Sequence, residues 1–349
     1  MASIVLHNKV NREELKQQLL HEETLRTTIS FYCYYHLGNP QLFRDHIFLH
    51  WSAIGVYGRI YVAHEGINAQ ISVPTENLDL FKQALNDIVF LRGIRLNYAI
   101  EDNGKSFFKL AIKVRPKLVA DGLDDKSFDV TNCGTHLKAA EFNQITSLPN
   151  TVVVDMRNHY EHEVGYFEDA ILPDVDSFRE ALPVVEAQIK GKEEDYNIVM
   201  YCTGGIRCEK ASAYYKHKGF KNVFQLEGGI IEYARQVHKQ GLVNKFKGKN
   251  FVFDERLGER IGNEILSHCH QCGAPCDTHT NCVNAACHLL FIQCPACAEK
   301  YSHCCSVECA DFTKLPAAEQ ARLRRGVDKG QQVFHKGRAS NFAKTIKVK

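Results

Sequence analysis

Nowhere in its 349 residues does this chain carry an apolar run approaching the ~18 residues that a membrane span requires, and no apolar segment follows Met1. The expectation is a soluble, unexported, cytoplasmic protein with no membrane partner. It also lacks a strong charge bias, since 43 Lys and Arg against 41 Asp and Glu leave only +2. No flavin or pterin fingerprint and no His/His/carboxylate iron site is present, so no flavin or haem is implied.

What remains is substantial. The length suggests two or three domains, and 44% hydrophobic residues suffice for real cores. The small net charge is unevenly spread. Residues 322–349 hold nine Lys or Arg against one acid, Asp328, which leaves the remainder net negative by six. This basic tail reads either as a solvated terminus or as an arm following a phosphate backbone. Phe334, His335 and Phe342 interleave its charges and are placed to stack on bases or to dock on the protein itself. Of fourteen cysteines, ten crowd into residues 269–309 at metal-ligand spacings, which indicates a reducing compartment and bound metal rather than disulfides.

The chemistry centres on NIVMYCTGGIRCEKASAYY, residues 197–215. Asn197 to Tyr201 reads as a buried strand of a parallel sheet, ending at Cys202. Thr203, Gly204, Gly205 and Ile206 form a tight loop, and from Arg207 a helix begins with Cys208, Ala211 and Tyr215 on its packed face. A thiol at a helix N-terminus is surrounded by unpaired N–H groups that favour the thiolate, and such cysteines have pKa values of roughly 3.5 to 7.5. Arg207 adds a permanent cation for an anionic substrate or intermediate. Cys208 reads as core.

A strand, Cys202, a glycine loop ending at Arg207, then a helix resembles the active loop of a rhodanese domain. TVVVDMRNHYEHEVGYFEDAILP (151–173) is similar to that family's strand-loop signature through Asp155, Arg157, Glu161, Gly165 and Ala170, and NVFQLEGGI (222–230) to its last strand with Gly228 and Gly229. The six residues from Cys202 to Arg207 match sulfur-handling members; related phosphatases use a loop one residue longer.

Along the chain, residues 1–28 form a polar lead-in with NREELKQQLLHEETLR. Residues 29–112 follow the order strand (ISFYCYY), helix (Gln41 to Ile54), strand (YGRIYVA), turn, strand (INAQISV), helix (Thr75 to Ile88), strand (Ile94 to Ile100). That βαββαβ order implies a ferredoxin-like α+β sandwich, four antiparallel strands under two helices. Cys33 reads as packing. The turn HEGIN, His64 to Asn68, reads either as a tight hairpin with Gly66 at positive φ or as a polar rim facing substrate through His64 and Asn68. Lys105 to Lys117 leads toward an interdomain linker, 113–129, and its lysines form a second candidate phosphate patch.

Residues 130–240 alternate strands with helices, which implies a parallel α/β sheet wrapped on both faces, with its site at the carboxyl ends of the strands. Cys202 and the polar loop after Met156 fall there. Arg157, Asn158 and Glu161 are therefore candidate substrate contacts, the alternative for Asp155 and Arg157 being a structural ion pair.

In residues 241–321, the cysteine pairs 269/272, 282/287, 294/297 and 305/309 signal zinc, because soft thiolates in paired turns suit a tetrahedral ion. An interleaved arrangement would put Cys269, Cys272, Cys294 and Cys297 on one structural Zn2+ and Cys282, Cys287, Cys305 and Cys309 on another. Cys276, Cys304, His270, His279, His288 and His303 are possible substitutes.

The order of these parts resembles the bacterial tRNA uridine hydroxylase family (TrhO, also called YceA) over nearly the whole chain. The resemblance implies O2-dependent hydroxylation of the wobble uridine of certain tRNAs to 5-hydroxyuridine, with the rhodanese-loop cysteine, here Cys202, essential. It implies the tRNA anticodon loop as partner; no obligate protein partner is evident in the sequence. Within the rhodanese loop itself, a sulfurtransferase carrying a persulfide on Cys202 fits equally well, and a non-catalytic RNA-binding adaptor is a third class.

Overall fold

A computed structural model describes residues 12–123 and 127–325. Most of the basic tail, including Phe334, His335 and Phe342, lies outside the described residues. The chain forms two compact units. The first takes the residues up to 158, 167–245 and 252–259, and the second takes 159–166, 246–251 and the residues from 260 onward.

The first unit opens with α1 (Arg12–His21) and continues through β1 (Arg26–Tyr34), α2 (Pro40–Ala53), β2 (Tyr57–Ala63), β3 (Gly66–Pro74), α3 (Leu78–Asn86), β4 (Asn97–Tyr98) and β5 (Leu110–Val114). The strand order is β4-β1-β3-β2-β5. The first four strands give the expected antiparallel ferredoxin-like arrangement. Beyond it, β5 pairs in parallel with β2. Its alternation of Leu110 and Ile112 with Ala111 and Lys113 sits inside a run of lysines, so charge density masks a strand on the approach to the linker.

Period-two patterning gives this sheet two unlike faces. Ile29, Phe31, Ile60, Ile71 and Ile112 turn to a core with Ile47 and Trp51 of α2 and Phe81 and Leu85 of α3. Cys33 packs against the same core, as expected of a packing residue. Tyr32, Tyr34, Arg59, Tyr61, Asn68 and Gln70 alternate with those residues and occupy the opposite face, half-buried.

The rest of the first unit is a parallel sheet in the order β6-β10-β9-β7. Its elements are β6 (Thr135–Leu137), α4 (Ala139–Ile145), β7 (Thr151–Asp155), α6 (Phe178–Ile189), β9 (Asn197–Tyr201), α7 (Ile206–His217), β10 (Asn222–Leu226) and α8 (Gly229–Gln240), while α5 (His159–His162) and all but the last residue of β8 (Gly165–Phe167), which lie between β7 and α6 in sequence, belong to the second unit. The segment after Met156 is therefore more structured than its polar composition suggests, because α5 and β8 interrupt the loop. Val154, Ile198 and Met200 are fully buried, which is why their segments read as continuous apolar runs.

The second unit contains β11 (Phe246–Asn250) and β12 (Glu259–Arg260), which form a three-stranded sheet in the order β12-β11-β8. A cysteine-rich segment follows, with the ribbon β13 (His279–Asn281) and β14 (Leu290–Ile292) and the helices α9 (Pro295–Lys300), α10 (Val307–Lys314) and α11 (Ala317–Arg324). No described helix is long and apolar enough to cross a membrane.

Candidate active site and metal centres

Cys202 directly follows β9 and is almost fully buried, at 1% exposure. Gly205 is the N-cap of α7, with φ of +101°, a conformation that L side chains rarely adopt. This turn aims its N–H at the sulfur, 3.2 Å away. Gly229 has φ of +66°, and a Cβ there would lie 2.5 Å from the Cys202 carbonyl oxygen, so the second glycine pair lets α8 start directly against the loop.

Burial opposes ionisation of the Cys202 thiol and is the largest single influence. It is outweighed by a hydrogen bond from the Cys208 thiol, the Arg207 charge and the backbone N–H groups of Arg207 and Gly205, which together bring the pKa down to about 6. Cys208 is pushed the other way by its own burial and by Cys202. Cys208 is thus in the core, as its helical spacing indicates, but it also donates to the reactive sulfur. Arg207 is 8% exposed, with its guanidinium 5.8 Å from the Phe253 ring.

The N-terminal sheet supplies the other wall of this loop. Tyr32 donates to Glu209 Oε1 of α7 at 2.9 Å, Tyr34 Oη to the Ile206 carbonyl at 3.4 Å, and Asn97 Nδ2 to the Gly204 carbonyl at 3.4 Å. A Cβ on Gly205 would meet the Tyr32 hydroxyl at 2.8 Å. Glu209 also accepts from His136 at 2.8 Å and from Gln225 at 2.9 Å. Burial raises its pKa, but the hydrogen bonds from His136 and Cys133 prevail and hold it down at about 2. Cys133, His136 and Glu209 lie within 4.8 Å of one another, joined in this network. None of these partners was visible in the sequence, although the alternation Tyr32, Tyr34 in ISFYCYY marks a second strand face with something to contact.

The residues expected to face substrate divide. Arg157 is wholly buried, and its guanidinium is paired with Asp155 at 2.7 Å and lies over the Tyr201 ring, so of its two readings the structure shows the ion pair. Asn158 and Glu161 are buried, at 9% and 0% exposure. His64 is exposed and its Nδ1 donates to the Leu37 carbonyl at 2.9 Å. Asn68 is half-buried on the open sheet face. The chief surprise in HEGIN is Glu65, which accepts from Lys210 of α7 and from the Leu118 N–H. Lys210, 1% exposed, is also bound by Asp121 at 2.7 Å.

Three family models match successive parts of the chain: the UPF0176 acylphosphatase like domain over residues 26–118, the Rhodanese-like domain over 138–236, and Rhodanase C-terminal over 247–310. A protein of Salmonella arizonae named tRNA uridine(34) hydroxylase is 56% identical over 96% of this chain and 95% of its own length. The chain belongs to the tRNA uridine(34) hydroxylase family. Hydroxylases of the same name from Pectobacterium carotovorum and Cronobacter sakazakii are 56% and 55% identical, each over 96% of the chain and 94% and 96% of their own lengths. Among solved structures, a rhodanese-related protein from Thermoplasma volcanium is 22% identical and covers 31% of this chain and 97% of its own, with a TM-score of 0.23.

In this hydroxylase-family chain all fourteen cysteines are free. The second unit gathers eight of them into two groups, Cys269, Cys272, Cys294 and Cys297, and Cys282, Cys287, Cys305 and Cys309, with the sulfurs of each group within 4.8 Å of one another. The β13–β14 ribbon and the start of α9 interleave the pairs. Cys276, Cys304 and the four histidines weighed as substitutes belong to neither group. Among these, His270 donates to Glu163 at 2.9 Å. Both groups could bind a metal.

Proposed function

We propose that this protein hydroxylates the wobble uridine, position 34, of tRNA to 5-hydroxyuridine, with dioxygen as co-substrate and the Cys202 thiolate as nucleophile. The observation that carries the reading is a buried thiol held ionised near neutral pH, within a chain similar along 96% of its length to proteins named for that activity.

The thiolate adds to C6 of uracil, forming an S–C6 bond and moving the C5–C6 electron pair into an enolate. The loop N–H groups and Arg207 oppose the negative charge that develops. The electron-rich C5 then bonds to dioxygen. Two electrons and two protons from a reductant carry the second oxygen atom to water, and loss of the C5 proton expels Cys202. An anticodon loop is single-stranded, so its wobble base is splayed out without opening a duplex. Arg157 orders the loop through Asp155 and does not touch substrate in this reading. Asn68, the lysines near 109–117 and the basic tail are candidate RNA contacts.

The two cysteine groups are assigned to structural zinc. A Zn–S bond of about 2.3 Å sets tetrahedral sulfurs about 3.8 Å apart. The Sγ separations of 3.6 Å for Cys272–Cys294, 3.7 Å for Cys287–Cys305 and 3.6 Å for Cys305–Cys309 fit that set. The crowding of ten cysteines at metal-ligand spacings favours a reducing, cytoplasmic location.

The test is incubation of the full chain with unmodified wobble-uridine tRNA under labelled dioxygen, followed by mass spectrometry of the nucleosides. The label distinguishes hydroxylation from thiolation, which has the same nominal mass change. Labelled 5-hydroxyuridine that is absent with Cys202→Ser is the expected result. An unlabelled, thiolated base would make the protein a sulfurtransferase.

A further inference from the structure

Apart from Asn68 and Lys113, named above as candidate RNA contacts, the exposed part of the N-terminal sheet has no role in the reaction as described, yet its register leads straight into the Cys202 loop. Tyr32 stands opposite Asn68, Asn68 opposite Tyr61, and Tyr61 opposite Lys113, so these four form one row across β1, β3, β2 and β5. The adjoining row on the same face runs from Asn97 through Ser30 and Gln70 to Arg59. The inner ends of both rows touch the catalytic loop, Tyr32 through Gly205 and Glu209, and Asn97 through Gly204. The outer ends are cationic. Arg59 is half-exposed and Lys113 exposed, and the exposed Arg115 carries its guanidinium 5.7 Å from the Tyr61 ring.

We propose that this open sheet face is a binding platform for single-stranded RNA, on which Tyr61 stacks a base flanking the reacting nucleotide while Arg59, Lys113 and Arg115 hold phosphates. The inference rests on the tRNA-modifying reading and supplies the surface that positions its substrate.

Four observations carry it. The residue types are those of a single-strand reader, with an aromatic ring bordered by cations and by the amide groups of Asn68 and Gln70. Positive charge is concentrated at the end away from the thiolate, complementary to a phosphate backbone entering there. Strands in a sheet lie about 4.8 Å apart, so Tyr61, two strands from Tyr32, is roughly 10 Å from the loop, within reach of a neighbouring nucleotide. Finally, Asn97 is 4% exposed and its Oδ1 has no hydrogen-bond partner, although the same amide's nitrogen is anchored on the loop. A buried, unsatisfied acceptor is costly. Held on the Cys202 loop at Gly204, it is an acceptor that the N3–H of a uracil would satisfy, a donor that cytosine lacks.

The experiment uses the full chain with a labelled anticodon stem-loop RNA carrying a wobble uridine, and with a blunt duplex of the same composition. Binding is read by fluorescence anisotropy at several salt concentrations, and turnover is followed separately. Tyr61→Ala is expected to weaken stem-loop binding about tenfold or more and to raise KM with kcat near the wild-type value, whereas Tyr61→Phe binds like wild type. Arg59→Ala and Lys113→Ala should each lower the slope of log affinity against log salt by about 0.7. Asn97→Ala should narrow the preference for a wobble uridine over a cytidine. Alkylation of Cys202 at wild-type rate shows that a variant is folded. Stem-loop affinity unchanged in Tyr61→Ala and Arg59→Ala, or duplex bound as tightly as stem-loop, overturns the platform. Wild-type binding without hydroxylation overturns the proposed activity and leaves the platform standing.

Discussion

Lys210 of the helix that follows Cys202 is bound by Glu65 of the β2–β3 turn, a contact that joins residues 145 positions apart and ties the N-terminal sheet to the rhodanese-like sheet. Asp121 bonds the same ammonium, and Lys117 bonds Asp121 at 2.8 Å, so the group is a small buried network and not a lone pair. A buried charge that loses one partner keeps its desolvation cost, which makes such networks more sensitive to truncation than surface pairs. Glu65→Ala should therefore destabilise the protein by about 2 kcal/mol, read as a lower urea midpoint at unchanged slope. A midpoint equal to wild type would show that Asp121 alone suffices for Lys210.

The Cys202 thiol titrates near 6, below the ordinary value of 9.0. Its alkylation rate by iodoacetamide should climb through pH 6 and level off by about pH 7.5, as thiolate replaces thiol. Arg207→Ala and Cys208→Ala each remove an influence that favours thiolate, so both should move the inflection to higher pH. The same shift bears on stability: a group whose pKa is depressed on folding stabilises the folded state above its unfolded pKa, and that contribution is lost as pH falls through the folded value. The window here runs from about pH 9 down to about pH 6. An inflection that stays near 6 in both variants would assign the depression to the backbone N–H groups alone.

Gly205 tests the fit between the two sheets. Alanine there incurs the left-handed backbone cost of about 1–2 kcal/mol and places its Cβ against the Tyr32 hydroxyl. Gly205→Ala should lower both thermal stability and the Cys202 alkylation rate. Adding Tyr32→Phe removes the hydroxyl and should restore part of the loss, with the backbone part remaining. No recovery in the double variant would mean that the side-chain clash is relieved by other movements.

Each thiolate group should hold one metal ion. The purified chain is expected to release two equivalents of zinc to a chromogenic chelator after thiol modification, and Cys272→Ser and Cys305→Ser should each lose about one. Metal removal should unfold the cysteine-rich segment, seen as protease sensitivity after residue 260, because this region has little apolar core of its own. One equivalent in the wild type, or full occupancy in either variant, would contradict the pairing.

Much of this is legible in the sequence. Cys202 at a strand end, two glycines and Arg207 specify a thiolate loop because each acts over a few residues, through backbone N–H groups, backbone freedom and one fixed charge. One of the two cysteine groups was legible for the same local reason, since the CxxC pairs 269/272 and 294/297 each set two sulfurs in one turn, whereas the wider spacings 282/287 and 305/309 left more to folding. The ferredoxin-like order was readable from hydrophobic period, while β5 was obscured because its alternation is embedded in lysines.

What sequence could not assign was the partner of each polar residue. Arg157 has a charge that suits a substrate or an ion pair equally, and only folding placed it on Asp155 and out of contact with solvent. Glu65 sits in the turn that looked most like a substrate rim, and only the packing of the two sheets put Lys210 in front of it. Tyr32 and Asn97 lie 170 and 105 residues before Cys202, whose loop they border. Sequence alone determined which chemistry the chain carries, because reactive groups are set by neighbours along the backbone. Tertiary structure decided what surrounds that chemistry, because burial and hydrogen-bond partners come from segments whose separation in sequence no local pattern encodes.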